Sequence, residues 1–156
     1  MIVPVLLISM NCVTFRALAG TQMSHTSPEI SRVRIFEEPL VPVGGRASAE
    51  EDKALSQALA DYRQGGAGED VSAIAGFLER HPRSVWRASL LMNLGLVHRR
   101  TGYFSRALAD WEEAWQLAKD ETDLEARAVA DRAVGELADL SARLVSTNGS
   151  NRCSRN

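Results

Sequence analysis

Histidines and cysteines have the widest chemical repertoire in this sequence. The three histidines are His25, His81 and His98, and the two cysteines, Cys12 and Cys153, lie near opposite ends of the chain. No two histidines stand at the i, i+4 spacing that puts two ligands on one helix face, and neither cysteine is near a histidine. The sequence therefore predicts no zinc site. His98 has no carboxylate at a spacing that would make it a general base, so we expect it to be a packed seam residue.

Acidic side chains cluster at Asp110, Glu112 and Glu113. Because Trp111 and Trp115 occupy the opposite side of the same predicted helix, these carboxylates are expected on its solvated face, not as an acid and base pair. The sequence also lacks the GxxxxGK(S/T), GxGxxG and GxSxG patterns that hold nucleotides or an activated serine. We therefore expect no enzyme activity, no catalytic residue, no metal and no cofactor.

The charge balance does not favour nucleic acid as a partner. The chain has 18 Lys+Arg and 20 Asp+Glu, a formal net charge of -2. A local basic belt is formed by Arg80, Arg83, Arg87, Arg99, Arg100 and Arg106. No exposed aromatic residues are interleaved with this belt, so nucleic-acid binding is not expected. No run of 18 apolar residues occurs, so no membrane-spanning helix is predicted.

Composition divides the chain into three parts. Residues 1–47 hold four of the five prolines and are typical of an irregular, disordered head or linker, in which Val33, Ile35 and Phe36 could dock on the body as one short extended segment. Residues 2–8 are apolar and 17–19 resemble a cleavage site, but the basic start of a secretory signal is missing, so the compartment stays open between cytoplasmic and exported. Residues 48–145 are predicted to be a helical domain. Residues 146–156, which show no apolar periodicity, are predicted to be a disordered tail.

Caps and turn residues predict about five helices in residues 48–145. The predicted caps are Ser48 with Glu51, Asp70, Ser84, and Thr122 with Glu125. The third helix, about 85–100, is apolar nearly all round, which is typical of a helix that is buried or lines a groove that something else fills. Because the connecting turns are short, we predict an all-α architecture of antiparallel neighbours.

The last two predicted helices each have one apolar face. For the fourth, about 105–119, this face comprises Ala107, Leu108, Trp111, Ala114, Trp115 and Ala118. For the fifth, it comprises Leu124, Ala128, Val134, Leu137, Leu140 and Leu144. A terminal helix has a neighbour on one side at most, so residues 123–145 are expected to self-associate.

The stretch 88–121 resembles one tetratricopeptide repeat along its whole length. The residues at the positions of the repeat core are Leu91, Leu94, Gly95, His98, Ala107, Trp111 and Ala114. Gly95 and Ala107 would let two helices approach closely while Leu94 and Trp111 fill the seam. Lys119 stands where the repeat has its terminal proline, which weakens the match at the exit of the fourth helix.

Two flanking stretches extend the resemblance. Residues 77–84 look like the FLxxxPxS junction of repeats in bacterial envelope proteins, and Val134-Gly135 looks like the start of a third repeat whose second helix is missing. The run 69–145 as a whole is similar to tetratricopeptide segments of large bacterial secreted proteins with RHS-type repeats. The resemblance implies a TPR-like α-solenoid of antiparallel helix pairs.

The resemblance also implies where a partner would bind. In such arrays the first helix of each pair lines a concave groove, which here presents Ser89, Met92, Leu96, Arg99 and Arg100. Members that clamp an acidic chain terminus use Lys and Asn where this chain has Met92 and Leu96, so an apolar peptide or helix is the expected partner. The chain is thus expected to be a non-catalytic scaffold for protein–protein interaction. The alternative is a structural fragment of a larger bacterial secreted repeat protein, with the groove filled by its own following repeats.

Overall fold

A computed structural model describes residues 30, 34–66 and 68–153 of the chain, with backbone only for 147–153. Its helices are α1 (Ala49–Gln64), α2 (Ser72–Arg80), α3 (Arg87–Arg100), α4 (Phe104–Ala118) and α5 (Leu124–Cys153). The described residues contain no strand, which confirms the predicted all-α class. The signal-like segment of the head, residues 2–19, lies outside the described residues.

Helix α3 is the centre of the molecule. Every residue from Ala88 to Val97 is buried, as expected for a helix that is apolar nearly all round. Helix α4 packs against α3 and α5 against α4, while α1 packs against α2. The α3–α4 pair is antiparallel, since Arg87 at the start of α3 bonds Glu113 late in α4, and His98 near the end of α3 bonds Asp110 earlier in α4.

The seam between α3 and α4 is built on one close approach. The Trp111 side chain is fully buried, and its Nε1 donates to the Met92 carbonyl oxygen at 3.1 Å. A methyl group at Gly95 would stand 2.5 Å from Cδ1 and 2.6 Å from Cε2 of the indole, which is a steric overlap. Ala107 and Ala114, one turn to either side of Trp111, are also fully buried. Glycine and alanine thus leave the space that the indole fills, as the sequence predicts.

The cap of α1 differs from the expected capping box. Ser48 Oγ accepts from the Glu51 N–H at 3.1 Å, as predicted. The Glu51 carboxylate, however, does not return to Ser48. It accepts from Ser84 Oγ at 2.5 Å and from the Val85 N–H at 3.2 Å, so it ties the start of α1 to the turn that precedes α3. The capping box does not form, because the Glu51 carboxylate accepts from two donors in the turn before α3 in place of the single Ser48 N–H.

Helix α5 differs from the prediction in its start, its end and its phase. Asp123, not Thr122, caps it, because Asp123 Oδ1 accepts from two backbone N–H groups at 3.0 Å. The helix continues to Cys153, although the sequence predicts a break after residue 145. Its buried apolar residues are Ala126, Val129, Ala130, Ala133 and Leu140. Leu124, assigned to the packed face from the sequence, is 83% exposed, and Val134 is exposed too.

The small side chains explain this phase. Three alanines in the packed stripe let the α5 backbone lie close to α4, and this approach would be lost with leucines in the seam. Counting large apolar residues therefore selects the wrong face of an alanine-rich helix. The predicted stripe is kept only at its end, where Leu140 is buried and Leu137 and Leu144 are partly buried.

The irregular segment before α1 is part of the core. Residues 34–47 have no regular structure, as expected for the head, but Leu40, Val41 and Val43 are buried in the same cluster as the helices. The packed domain therefore begins before residue 48, the start that the sequence predicts.

The α3–α4 seam gives the first prediction. Trp111→Ala should lower the free energy of unfolding by about 3–5 kcal/mol, because it removes a fully buried aromatic side chain. Gly95→Ala should cost about 1–3 kcal/mol through overpacking against the indole. Urea denaturation followed by circular dichroism measures both. The control is Glu112→Ala on the exposed face of α4, expected within about 0.5 kcal/mol of wild type; equal losses in Trp111→Ala and Glu112→Ala would refute the seam.

Candidate functional site

The face of α3 that was expected to line an open groove is covered. Ser89, Met92 and Leu96 are each at most 3% exposed. Residues 35–43, hereafter the arm, run across this face and share small cavities with it. One cavity of about 60 Å³ lies between Met92, the arm and α5, and one of about 260 Å³ lies between Leu96, the arm and α1.

Asn93 holds the backbone of the arm. Its side-chain carbonyl accepts from the Glu38 N–H at 3.0 Å, and its amide donates to the Glu38 carbonyl oxygen at 3.1 Å. The amide's second hydrogen goes to the Ser89 carbonyl oxygen at 2.9 Å, and Asn93 is only 1% exposed. One asparagine thus satisfies both backbone groups of Glu38, which lies in the bent stretch 35–38, and does so whatever the side chain at that position.

Two arginines flank the acidic residues of the arm. Arg100 pairs with Glu37 at 2.5 Å, and Arg132 of α5 pairs with Glu38 at 3.0 Å. These side chains are a third to half exposed, so each pair contributes at most about 1 kcal/mol and weakens with salt. These ion pairs fix the position of the arm along the groove, because each arginine must meet an acidic side chain.

An aromatic contact holds one end of the arm and a backbone hydrogen bond holds the other. The Phe36 ring stacks on Tyr62 of α1 with 5.2 Å between ring centroids. At the other end the Val43 N–H donates to the Val85 carbonyl oxygen at 2.7 Å. Burial raises the pKa of the Tyr62 hydroxyl, with Arg100 opposing, so this ring remains neutral at physiological pH. The arm, which bends at residues 35–38, is therefore held on the helices as a non-helical segment of the same chain.

The two arginines that were predicted to line the groove, Arg99 and Arg100, bind different partners. Arg100 contacts the arm, whereas Arg99 bonds the buried Glu136 of α5 and lies 5.7 Å from the centre of the Trp111 ring. Arg87 of the basic belt pairs with Glu113 at 2.6 Å. Three arginines of the belt thus pair with carboxylates. Arg106 instead lies 5.2 Å from the centre of the Tyr103 ring, and Tyr103 is exposed, so the expectation that no exposed aromatic residue accompanies the belt is wrong.

The structure places a carboxylate beside His98. Asp110 Oδ2 is 2.6 Å from His98 Nδ1, so the expectation that Asp110 lies on the solvated face is wrong. Tyr103 meets the imidazole edge-on at 6.3 Å between ring centroids. Burial raises the pKa of Asp110, while its hydrogen bond to His98 opposes that change. Within the described residues no serine, threonine or cysteine side chain bonds the His98 ring, so this pair joins α3 to α4 without forming a nucleophile's triad.

The described residues contain neither a three-ligand metal cluster nor a helix suited to cross a membrane. No group of three histidine, cysteine or acidic side chains is placed to hold a metal ion. No helix there has both the length and the apolar character needed to cross a membrane.

Sequence reasoning expected Ile35 and Phe36 to dock on the helices, and both pack against the core, but it missed the buried residues farther along the arm and Asn93. Val33, expected in the same docked segment, lies outside the described residues. Asn93 is the signal that was available, because an amide in the middle of an otherwise apolar helix needs a buried partner. The arm also contains the apolar residues Leu40, Val41 and Val43, which could have indicated burial. The prolines among them favoured the interpretation as a linker. What neither signal could supply is that the two meet, since 55 positions separate Glu38 from Asn93.

Comparison with known proteins adds no relative. No family model, no curated protein and no solved structure matches this chain. The tetratricopeptide resemblance therefore stays a prediction from the residues of 88–121.

Asn93→Ala should release the arm. It removes both bonds to Glu38 and should lower the free energy of unfolding by about 2–3 kcal/mol. Hydrogen exchange of the backbone amides of residues 35–43 should become faster, while exchange in α4 should change less. Gln57→Ala, which removes an exposed bond to Asp61, is the control and should alter neither. Unchanged exchange in the arm would mean that Asn93 does not hold it.

Asp110 should give an unusual pH dependence of stability. Its raised pKa means that the folded chain binds this proton more tightly than the unfolded chain. The stabilisation is therefore complete below the unfolded pKa and is lost as pH rises through the folded pKa. The difference in unfolding free energy between wild type and Asp110→Asn should accordingly decrease from about pH 3 to about pH 7.

Asp139 is the matched control of opposite sign. Its hydrogen bond with Arg143 lowers its pKa, so its stabilisation is present at neutral pH and is lost in acid. The difference between wild type and Asp139→Asn should therefore grow with pH. Urea titrations of the three proteins across the range measure both slopes, and parallel slopes would contradict the assignment.

Proposed function

We propose that this protein is a non-catalytic, TPR-like scaffold that binds a protein partner as a non-helical peptide segment in the groove along α3. One observation carries the proposal: Asn93 pairs with both backbone groups of Glu38 in the arm. This contact recognises the backbone of a single residue, and a partner peptide can make it as well as the arm does. In this structure the arm occupies the place of that partner.

The chemistry of the arm specifies the partner. Apolar side chains such as Leu40 and Val41 fill the groove, and acidic side chains in the middle of the segment face Arg100 and Arg132. The preferred ligand is therefore a non-helical apolar segment with one or two internal acidic residues. A free acidic chain terminus fits less well, because the groove floor at Met92 and Leu96 is apolar.

The arm also regulates access. A segment joined to its own binding site has an effective concentration of about 1 mM, so a partner must outcompete it or bind after the arm has been released. A change that weakens the arm in its own groove should therefore strengthen binding of a peptide added in trans.

The alternative is a structural fragment whose following repeats fill the groove. Those repeats would have to displace the arm, which already lies there, just as a separate partner would.

The test is a labelled peptide with the sequence of residues 34–43 and the full chain. Wild type should bind it weakly. The variant Glu37→Lys with Glu38→Lys, in which the arm loses both ion pairs, should bind it at least about tenfold more tightly. Fluorescence anisotropy measures the dissociation constants, and circular dichroism verifies that the helices remain folded.

The matched control carries the same charge change away from the arm. Glu112→Lys with Asp120→Lys alters two exposed acidic residues and should bind like wild type. Adding Arg100→Ala to the arm variant should reduce the gain, since the peptide loses a cationic contact. A folded arm variant that binds no peptide would refute the proposed function.

A further inference from the structure

The cavity of about 260 Å³ between the arm, α1 and α3 has the size of a small-molecule site. Its lining includes Ile35, Phe36 and Glu37 of the arm, Tyr62 of α1, and Leu96 and Arg100 of α3. A cavity of about 150 Å³ in a protein core is enough for benzene, so this one has room for a single ring with a short substituent. Because the arm supplies one wall, the cavity exists only while the arm lies on the helices.

Tyr62 brings an unused hydrogen-bond donor to this cavity. The residue is only 2% exposed, and its hydroxyl bonds no other group in the described part of the chain. Every fully inaccessible side-chain nitrogen or oxygen in that part has a partner, so the unpaired hydroxyl must reach open space. Tyr62 lines the cavity, which provides that space. A hydroxyl so placed favours a ligand that can accept from it.

Arg100 brings further donors to the same place. Burial raises the pKa of the Tyr62 hydroxyl, and the positive charge of Arg100 opposes that rise, so the two groups are near neighbours. A guanidinium has five N–H donors, and one nitrogen of this one pairs with Glu37 at 2.5 Å. The remaining N–H groups and the Tyr62 hydroxyl can therefore donate to one oxygen atom in the cavity.

The pairing of Arg100 with Glu37 decides the charge of the ligand. The two side chains together are neutral, and a ligand carboxylate would meet the Glu37 carboxylate as well as the guanidinium. A carbonyl oxygen has two lone pairs for the donors and carries no charge. Phe36 and Leu96 provide apolar surface for a ring beside it.

We propose that this cavity binds a small neutral molecule that combines an apolar ring with a carbonyl oxygen, as in an aromatic amide or ketone. The ring packs against Phe36 and Leu96, and the carbonyl oxygen accepts from Tyr62 and Arg100. Because the ligand contacts the arm and the helices together, it stabilises the arm in its groove and opposes its release.

The ligand site is independent of the proposed partner. It needs the arm where the structure has it, and it needs no second protein. Binding of a small molecule to wild type can therefore succeed when peptide binding fails, and peptide binding can succeed when the cavity takes no ligand.

A titration of the isotope-labelled full chain with benzamide, followed by NMR chemical shifts, tests the proposal. Wild type should saturate with a dissociation constant on the order of 1 mM, typical of a ligand with so few atoms. The largest shifts should fall on the backbone amides of residues 35–37 and 96–97. Hydrogen exchange of the arm amides should become slower in saturating benzamide, and unchanged exchange would contradict the effect on the arm.

Tyr62→Phe is the decisive variant, because it keeps the ring that stacks on Phe36 and removes only the hydroxyl. It should bind benzamide about fivefold more weakly, whereas toluene, which has no carbonyl, should bind wild type and variant alike. Tyr103→Phe removes an exposed hydroxyl outside the cavity and should bind benzamide like wild type. Circular dichroism verifies that both variants are folded.

Three results would overturn the proposal. The first is a wild-type chain that shows no saturation up to about 20 mM benzamide. The second is equal affinity of wild type and Tyr62→Phe for benzamide. The third is tighter binding of benzoate than of benzamide, which would mean that the site selects an anion.

Discussion

The contact between the Trp111 indole and Gly95 is the constraint on which the rest of the structure depends. It sets the separation of α3 and α4, because any side chain at position 95 would overlap the ring. The same indole is covered by Arg99, whose guanidinium continues to Glu136 and so positions α5. Close packing in proteins makes such a contact discrete, not adjustable. The groove along the opposite side of α3 therefore has a fixed shape.

A chain of alternating charges connects that core to the arm. Glu38 of the arm pairs with Arg132, which pairs with Glu136, which in turn bonds Arg99. Glu136 is the buried member and needs both cations, since a buried carboxylate without a partner costs several kcal/mol. The outer pairs are exposed and weak by comparison. The groove is consequently rigid at its base and adaptable at its rim, a combination that suits a site whose occupant can be exchanged.

The occupied groove changes what a scaffold of this kind would do. An open groove would bind any suitable segment that diffuses to it, whereas a groove that holds its own arm responds only to a stronger or more concentrated competitor. The hydrogen bonds from Asn93 give affinity without sequence preference, and the arginines and the apolar floor add the preference.

By itself the sequence determined the local structure. Helix periodicity, Ser48, Ser84 and the glycine turns predicted five helices with bounds correct within a few residues, except for the end of α5. Gly95 with Trp111 predicted the central seam, because these features depend on neighbours within one or two turns. Tertiary structure decided everything that depends on distant partners. It took Glu51 from its capping box, selected the alanine face of α5 over the leucine face, and brought Asp110 to His98. Above all it laid the arm over α3, because the energy of a buried contact depends on which groups meet in space, and residues 55 positions apart leave no local pattern of their meeting.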